Sequence, residues 1–404
     1  MAFVHEQSCE CTKSELDLFS VPPTQTSIES GTWAEYHPLS SIGDGSPIEF
    51  EVSGTGDEYL DLANSHLYVK AKITAADGGN LAADAQVGPV NNFLHSLFSQ
   101  VDISLNGTLI TSSTNTYPYR AYIEDLLSYG SESKESQLTA GLFYTPGKIG
   151  VANSRAAETD RNHGLTKRAE FTNGSRVVDL MGRLHSDIFF QERYMLNEVN
   201  TKIRLIRSRD NFCLMSTGQF KVKIMAASLF IRKVKVSPSV FLAHAKTLEK
   251  SLAKYPIRRV VCKTFTIPNG HLDATNEKLF TGQLPRRIVI GLVDNEAFNG
   301  GFGHNPFNFK HFNLSEIGLY LDGQQQGIKP VAMNFEAHQF IHAYLGLFTG
   351  TGKENRDEGN GISRWDFENG YALYAFDLSP DLGDDDHFNL AKQGGVRVDL
   401  KFGE

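Results

Sequence analysis

Ile103-Ser104-Leu105-Asn106-Gly107 and Leu319-Tyr320-Leu321-Asp322-Gly323 are two versions of one phrase, 216 positions apart. In each, residues of strand type run into Asn-Gly or Asp-Gly. Asn-Gly suits a tight hairpin because a type I′ turn needs positive φ at both central residues. Working outward, Arg120-Ala121-Tyr122-Ile123 has a counterpart in His342-Ala343-Tyr344-Leu345, 222 positions on. Leu196 with Ile203-Arg204-Leu205 matches Leu390 with Val396-Arg397-Val398, at offsets of 194 and 193. Any one of these matches is commonplace in β-rich sequence, but their shared order is not. Strand, hairpin, short helix and later strand pair recur in the same succession, which implies two copies of one β domain. Eight or so short strands, long loops and a helix inserted midway fit a jelly roll better than an immunoglobulin-like sandwich or an up-and-down barrel. The expected class is all-β: two tandem jelly rolls with short inserted helices and a linker helix.

Local patterns set the expected boundaries. Ile48–Val52 and Leu67–Ile73 alternate apolar and polar residues. From Tyr119 to Leu127 the period becomes helical, with Gly130 placed to cap it. Further strands are expected at Asp187–Phe190, Lys202–Ile206 and Lys221–Val236. Ser237-Pro238 then combines an N-cap residue with proline at the first helical position. Phe241, Ala245, Leu248 and Leu252 follow on one helical face, so 238–254 reads as a linker helix ended by Pro256. Strand signals resume at Arg259-Val260-Val261-Cys262. Residues 1–32 form an expected extended arm, with Pro22-Pro23 and with Glu6, Glu10, Glu15, Asp17 and Glu29 against Lys13. An acidic arm binds DNA poorly and is better suited to threading under a neighbouring subunit. The division is therefore 1–32 arm, 33–236 first jelly roll, 237–255 linker and 256–404 second jelly roll.

A chain of 404 residues suits two domains, and 40% hydrophobic against 21% charged residues excludes wholesale disorder. The opening sequence has no apolar core of a secretory signal, and no apolar run reaches the roughly 18 residues of a membrane helix. Cys9, Cys11, Cys213 and Cys262 then read as reduced thiols in an intracellular, unsecreted protein. Net charge is −8, but Lys202 to Lys263 holds fifteen Lys and Arg against Asp210 and Glu249, so that segment carries +13 and the remainder −21. Such a stretch is either a solvated face or a basic surface for nucleic acid, anionic lipid or acidic partners. Lys246, Lys250, Lys254, Arg258 and Arg259 are its candidate interface residues.

Catalytic patterns fail on inspection. His338 and His342 have metalloprotease spacing, yet Gln339 stands where the general-base Glu is required. Gly346 to Lys353 has one residue too many for a phosphate loop, and Glu354 replaces the Mg²⁺-binding hydroxyl; a loop between strands explains the glycines. Asp384-Asp385-Asp386-His387 offers one acidic turn with few further ligands. Cys9-x-Cys11 has no second pair at zinc-finger spacing. No catalytic, cofactor or metal site is expected. A carbohydrate-binding or hydrolytic β-sandwich is the second reading.

Long patches resemble a known family. SCECTKSELDLFSVPPTQTSIESGTWAEYHPL (8–39), HSLFSQVDISLNGTLI (95–110), TYPYRAYIEDLLSYG (116–130), AKYPIRRVVCKTFTIPNG (253–270) and LYLDGQQQ (319–326) are similar to major capsid proteins of Polinton (Maverick) elements and adintoviruses. The resemblance implies a double jelly roll that forms homotrimeric, pseudo-hexameric capsomers. These would tile an icosahedral shell around double-stranded DNA, alongside penton and minor capsid proteins, with contact to genome or an inner membrane. The implied location is the virion capsid.

The repeat carries one more expectation. In the first copy the Ile203–Leu205 strand is followed by a long strand, Lys221–Val236. The late offset of 193 puts its counterpart at 414–429, past Glu404. The second barrel should then show an open edge, or an edge filled from outside 256–404, with the arm as donor; about 25–30 further residues would complete it.

Overall fold

The computed structural model describes residues 5–403 apart from 44, 55, 112, 327, 328 and 383–386. In its first half the strands are β1 (Ile28–Tyr36), β2 (Ile48–Val52), β3 (Glu58–Ala75), β4 (Val87–Pro89), β5 (Phe98–Leu105), β6 (Thr108–Leu109), β7 (Val178–Gly182), β8 (Thr201–Arg207), β9 (Leu214–Ser216) and β10 (Phe220–Val236). The second half has β11 (Asp273–Gln283), β12 (Arg287–Gly291), β13 (Leu314–Leu321), β14 (Gln324–Gln325), β15 (Val331–Ala332), β16 (Leu373–Asp377) and β17 (Gln393–Phe402).

Alternation makes the first barrel. Leu67, Val69, Ala71 and Ile73 of β3 all point inward and are fully buried, while Lys70 between them is exposed. β3 sits between β10 and β7 in the antiparallel sheet β1-β10-β3-β7, and β2-β8-β5-β6 forms the opposing sheet. Phe50 and Val52 of β2, Ile103 of β5 and Ile203 and Leu205 of β8 share one core with Leu229 and Ile231 of β10. Each such side chain contributes about 1.5–3 kcal/mol by leaving water.

The second barrel repeats part of this plan. Hairpin β13–β14 turns at Asp322-Gly323 (φ 48° and 81°), as β5–β6 turns at Asn106-Gly107 (φ 47° and 82°). β17 lies between β11 and β13, as β8 lies between β2 and β5. The helices Tyr117–Ser128 and Ile341–Thr351 follow the two hairpins and contain the matched Ala-Tyr pairs. The sheet β11-β17-β13-β14 therefore corresponds to β2-β8-β5-β6, and the pair β12-β16 to β3-β7. The two halves are jelly rolls in tandem.

Between β6 and β7 the chain leaves the first barrel and joins the second. Tyr122 stacks on Phe307 with ring centroids 4.2 Å apart and planes 8° from parallel, and also packs on Phe143. Tyr119, Leu126 and Leu127 share the apolar cluster of Phe309, Leu347 and Val398. Helices inserted in the first copy thus form part of the second copy's core.

Several local expectations are corrected. The arm becomes strand at Ile28, not after 32, because Ile28–Tyr36 pairs with β10. Asp187–Phe190 is a 3₁₀ turn, not a strand, with Asp187 drawn into an ion pair with Arg120. Gly130 does not cap the preceding helix in the left-handed region; it is extended (φ −76°) and precedes the next helical turn, Ser131–Glu135. The linker helix spans Pro238–Leu248, short of 254, and buries none of its residues; Phe241 and His244 lean on Tyr59. Arg259–Cys262 pairs with no strand among the described residues.

Candidate functional site

Two features stand out: a buried ionic cluster where the inserted helix meets the first barrel, and a groove beside β12. The cluster grows from helix Tyr117–Ser128. Its i, i+4 spacing lets Arg120 Nε donate to Glu124 Oε1 at 3.0 Å, and Arg120 Nη2 reaches Asp187 Oδ1 at 2.6 Å. His185 lies between two carboxylates: Nδ1 is 2.7 Å from Glu124 Oε2 and Nε2 is 3.3 Å from Asp125 Oδ2. Asn92 donates to Asp125 Oδ2 at 2.7 Å, and His95 Nδ1 lies 2.9 Å from the Tyr117 hydroxyl.

The electrostatics follow from burial and neighbours. Burial pushes His185 down, but the carboxylates of Asp125 and Glu124 more than offset this and raise it to about 9. His95 has the reverse balance; burial, with the charge on His185 4.5 Å away between ring centroids, lowers it to about 3. Burial pushes Glu124 and Asp125 up, yet hydrogen bonds and charge from His185, with Arg120 also acting on Glu124, hold both below the usual carboxylate range. His185 is thus a buried imidazolium and His95 a neutral ring. His95, Asp125 and His185 place ligand atoms within 4.8 Å of one another, a grouping that a metal ion could use. Both nitrogens of His185 already face carboxylates, at 2.7 and 3.3 Å. The arrangement is an ionic clamp.

The clamp reaches the groove. Asp187 Oδ1, paired with Arg120, also accepts the backbone N–H of Val260 at 3.2 Å. Arg193 Nη1 donates to the Lys254 carbonyl at 2.6 Å, and Tyr255 Oη donates to that of Tyr194 at 3.2 Å. Side chains, not a β-ladder, therefore tether 254–263 to the first barrel. Beyond that segment opens a groove of about 2970 Å³, walled by 256–272, β12 and the approaches to β17. Phe388 and Leu390 on its rim are 85% and 90% exposed. Among the described residues β12 pairs only with β16, so its other edge faces the groove.

The basic segment is largely neutralised where it is strand. Lys202 and Arg204 meet Glu49, Arg232 meets Asp61, Lys233 meets Glu58, and Lys235 meets Glu29 and Asp57. The candidate residues divide into two places. Lys246 lies on the exposed linker helix, Lys250 and Lys254 lie just past its end, and Arg258 and Arg259 line the groove. Lys246, Lys250, Lys254 and Arg259 have no ion-pair partner among the described residues.

Other expected features resolve plainly. His338 sits before helix Ile341–Thr351 in the left-handed region (φ 54°), pairing with Glu368 at 3.0 Å and not sharing a face with His342. Gly346 and Gly350 lie inside that helix, not in a loop, and Gly352 (φ 69°) ends it. Asp384-Asp385-Asp386 lies outside the described residues; His387 bonds Asp381 at 2.7 Å. Cys9 and Cys11 are exposed on the arm. No helix among the described residues is long and apolar enough to cross a membrane. The clamp was missed in the sequence: Arg120 and Glu124 carry a helical ion-pair spacing, but nothing local points to His185.

Comparison with known proteins bears on the fold. No protein-family model matches the chain. A Caenorhabditis elegans protein named "Uncharacterized protein F54H12.2" is 29% identical over 396 residues, covering 95% of this chain and 92% of that one. A chain of the Sputnik virophage cryo-EM structure superposes with TM-score 0.60 at 10% identity, covering 97% of this chain and 86% of that one. The Faustovirus major capsid protein superposes with TM-score 0.52 at 8% identity, covering 95% and 88%. The chain shares the double jelly-roll fold of these capsid structures along nearly its whole length.

Proposed function

We propose that this chain is a structural major capsid protein and does no catalysis. The duplicated barrel carries this reading: two jelly rolls in one chain, in the same order as in viral capsid proteins and over nearly the full length. Three such chains supply six barrels, so a homotrimer makes a pseudo-hexameric capsomer able to tile an icosahedral lattice around double-stranded DNA. The quoted sequence patches favour the Polinton (Maverick) and adintovirus branch, with the virion capsid as location and penton and minor capsid proteins as partners. The arm up to residue 27 and the linker around helix Pro238–Leu248 then lie outside the two barrels. Lys246, Lys250, Lys254, Arg258 and Arg259 form an interior-facing basic surface toward genome or inner membrane.

Native mass spectrometry of the purified chain tests the reading. A species of about 134 kDa, three times 44.8 kDa, is expected, with capsomers or shells by negative-stain electron microscopy. A strictly monomeric chain at micromolar concentration would overturn it. Reversing Lys246, Lys250 and Lys254 to Glu should leave trimers intact and reduce DNA packaging; unchanged packaging removes the role assigned to the basic surface.

A further inference from the structure

The seam between the two barrels runs in one direction. Helix Tyr117–Ser128, inserted in the first copy, presents Tyr119 to the β12–β13 loop of the second, with ring centroids 5.5 Å from Phe298 and 5.7 Å from Phe307. The same loop accepts Asn211 Nδ2 at the Gly300 carbonyl, at 2.8 Å, and the Ser216 amide at the Phe302 carbonyl, at 2.7 Å. The first barrel thus supplies a donor helix and the second an acceptor loop. Tyr119 is left only 6% exposed.

Duplication gives each barrel both parts. The β12–β13 loop (292–313) and the β3–β5 loop (76–97) are each 22 residues long, at the offset of 216 that relates the two hairpins. Phe298, Gly300 and Phe302 therefore correspond to Ala82, Asp84 and Gln86. The Ala-Tyr match at offset 222 likewise makes Ile341, at the start of helix Ile341–Thr351, the counterpart of Tyr119. This second donor and second acceptor stay uncovered: Ile341 is 45% exposed, and 76–80 and 82–84 are exposed. Next to Ile341, the short helix Arg364–Glu368 packs Phe367 against Phe340 and Tyr344 and leaves Trp365 69% exposed. None of these residues lines the groove beside β12.

We propose that the loop 76–86 of one chain receives Ile341 and Trp365 of a second copy, so that the contact between subunits repeats the contact between barrels within one chain. Alanines at 82, 83 and 85 leave room there for the Trp365 ring. Large apolar side chains exposed together mark an interaction surface, and tryptophan is among the residues that carry most of an interface's energy. Each chain then donates at one end and accepts at the other. Such a heterologous contact closes into a ring when the rotation permits, and three chains of two barrels complete a ring of six. The inference deepens the homotrimer reading and rests on it: it names the surfaces through which the subunits meet.

Mixed assemblies of unlabelled and ¹⁵N-labelled full-length chains test it, with the photoreactive substitution Trp365→benzoylphenylalanine. Irradiation should give heavy–light peptide pairs joining position 365 to 76–86. If that substitution blocks assembly, Ala83→benzoylphenylalanine reads the same contact from the other side, with links to 341–345 or 364–368. Separately, Ile341→Asp with Trp365→Asp should weaken self-association at least tenfold in sedimentation equilibrium. Both side chains are exposed, so hydrogen exchange at Leu67–Ile73 and Leu373–Asp377 should show both cores still folded in that variant; if a core opens, the photolinks alone decide. Trimers whose links fall elsewhere or within one copy, or a folded Asp variant that associates as tightly as wild type, overturn the proposal and leave the capsid reading standing. A wild-type chain that stays monomeric at every concentration overturns both.

Discussion

Replacing His185 with glutamine probes the ionic clamp directly. Glutamine keeps the size and some hydrogen bonding but removes the positive charge from between Glu124 and Asp125, which stand 2.7 and 3.3 Å away. Arg120 remains, yet it already serves Asp187 as well as Glu124. An uncompensated carboxylate in a buried site costs about 3–5 kcal/mol when its partner is removed. The titration of His185 gives a matching figure. Its proton is held up to about 9 in the folded chain against 6.5 when free, and at about 1.4 kcal/mol per pH unit this corresponds to roughly 3 kcal/mol.

The sign fixes the pH window. A group with a raised folded-state pKa stabilises fully below its unfolded value, so the contribution of His185 is complete below about pH 6.5 and is lost as pH rises through about 9. Guanidinium unfolding of wild type and His185→Gln, at one fixed protein concentration, is the assay. The stability gap should be about 3 kcal/mol at pH 6 and should shrink to under about 1 kcal/mol by pH 9.5. Groups that do not contact His185 cancel in that difference, whereas Glu124 and Asp125, which His185 holds low, are part of what it reads. A gap that is constant across this range, or below about 1 kcal/mol at pH 6, refutes the clamp.

Three further outcomes are expected. Tyr122→Ala removes the ring stacked on Phe307 and should cost about 3–5 kcal/mol, read as a lowered denaturation midpoint; a loss under 1 kcal/mol would show that the seam between barrels is dispensable. Gly350→Leu puts a side chain where a Cβ already lies 2.6 Å from the Ala375 backbone, so helix Ile341–Thr351 must move off β16; soluble, fully stable protein contradicts that contact. Asp187→Asn weakens the acceptor of the Val260 amide and should speed hydrogen exchange at 258–263 without unfolding the first barrel, and unchanged exchange there removes Asp187 as the tether.

Period and turn chemistry made the duplication legible. Asn106-Gly107 and Asp322-Gly323 need positive φ at both residues, and a two-residue hairpin allows little else. Alternation in 67–73 likewise leaves only one face to bury. Legibility failed where long-range partners decide. Asp187–Phe190 has strand composition, but Arg120, far along the chain, draws Asp187 into a turn. Arg259–Cys262 has β-branched residues and the position of a first strand, yet a strand exists only if another pairs with it, and local sequence holds no information about that neighbour. Gly130 misled because a glycine after a helix equally suits the N-terminal side of a second helix. The linker's apolar stripe gave the helix but not its burial, since Leu248 and Leu252 remain 44% and 87% exposed.

The ionic clamp and the groove share an atom, and this ties the first barrel's interior to the second barrel's edge. Asp187 Oδ1 receives Arg120 on one side and the Val260 amide on the other. Arg120 in turn holds Glu124, which holds His185. Loss of the His185 proton leaves Arg120 facing two carboxylates alone, drawing it toward Glu124 and away from Asp187. Farther along the wall Thr116 Oγ1 donates to the Cys262 carbonyl at 3.5 Å and Lys263 Nζ to that of Leu279 at 3.1 Å, while Arg193 and Tyr255 act at its start, so Asp187 is what fixes Val260. Alkaline loosening should therefore appear first as faster exchange at Val260 and its neighbours, before either core opens. The groove wall is thus held in place by charge buried where the inserted helix meets the first barrel.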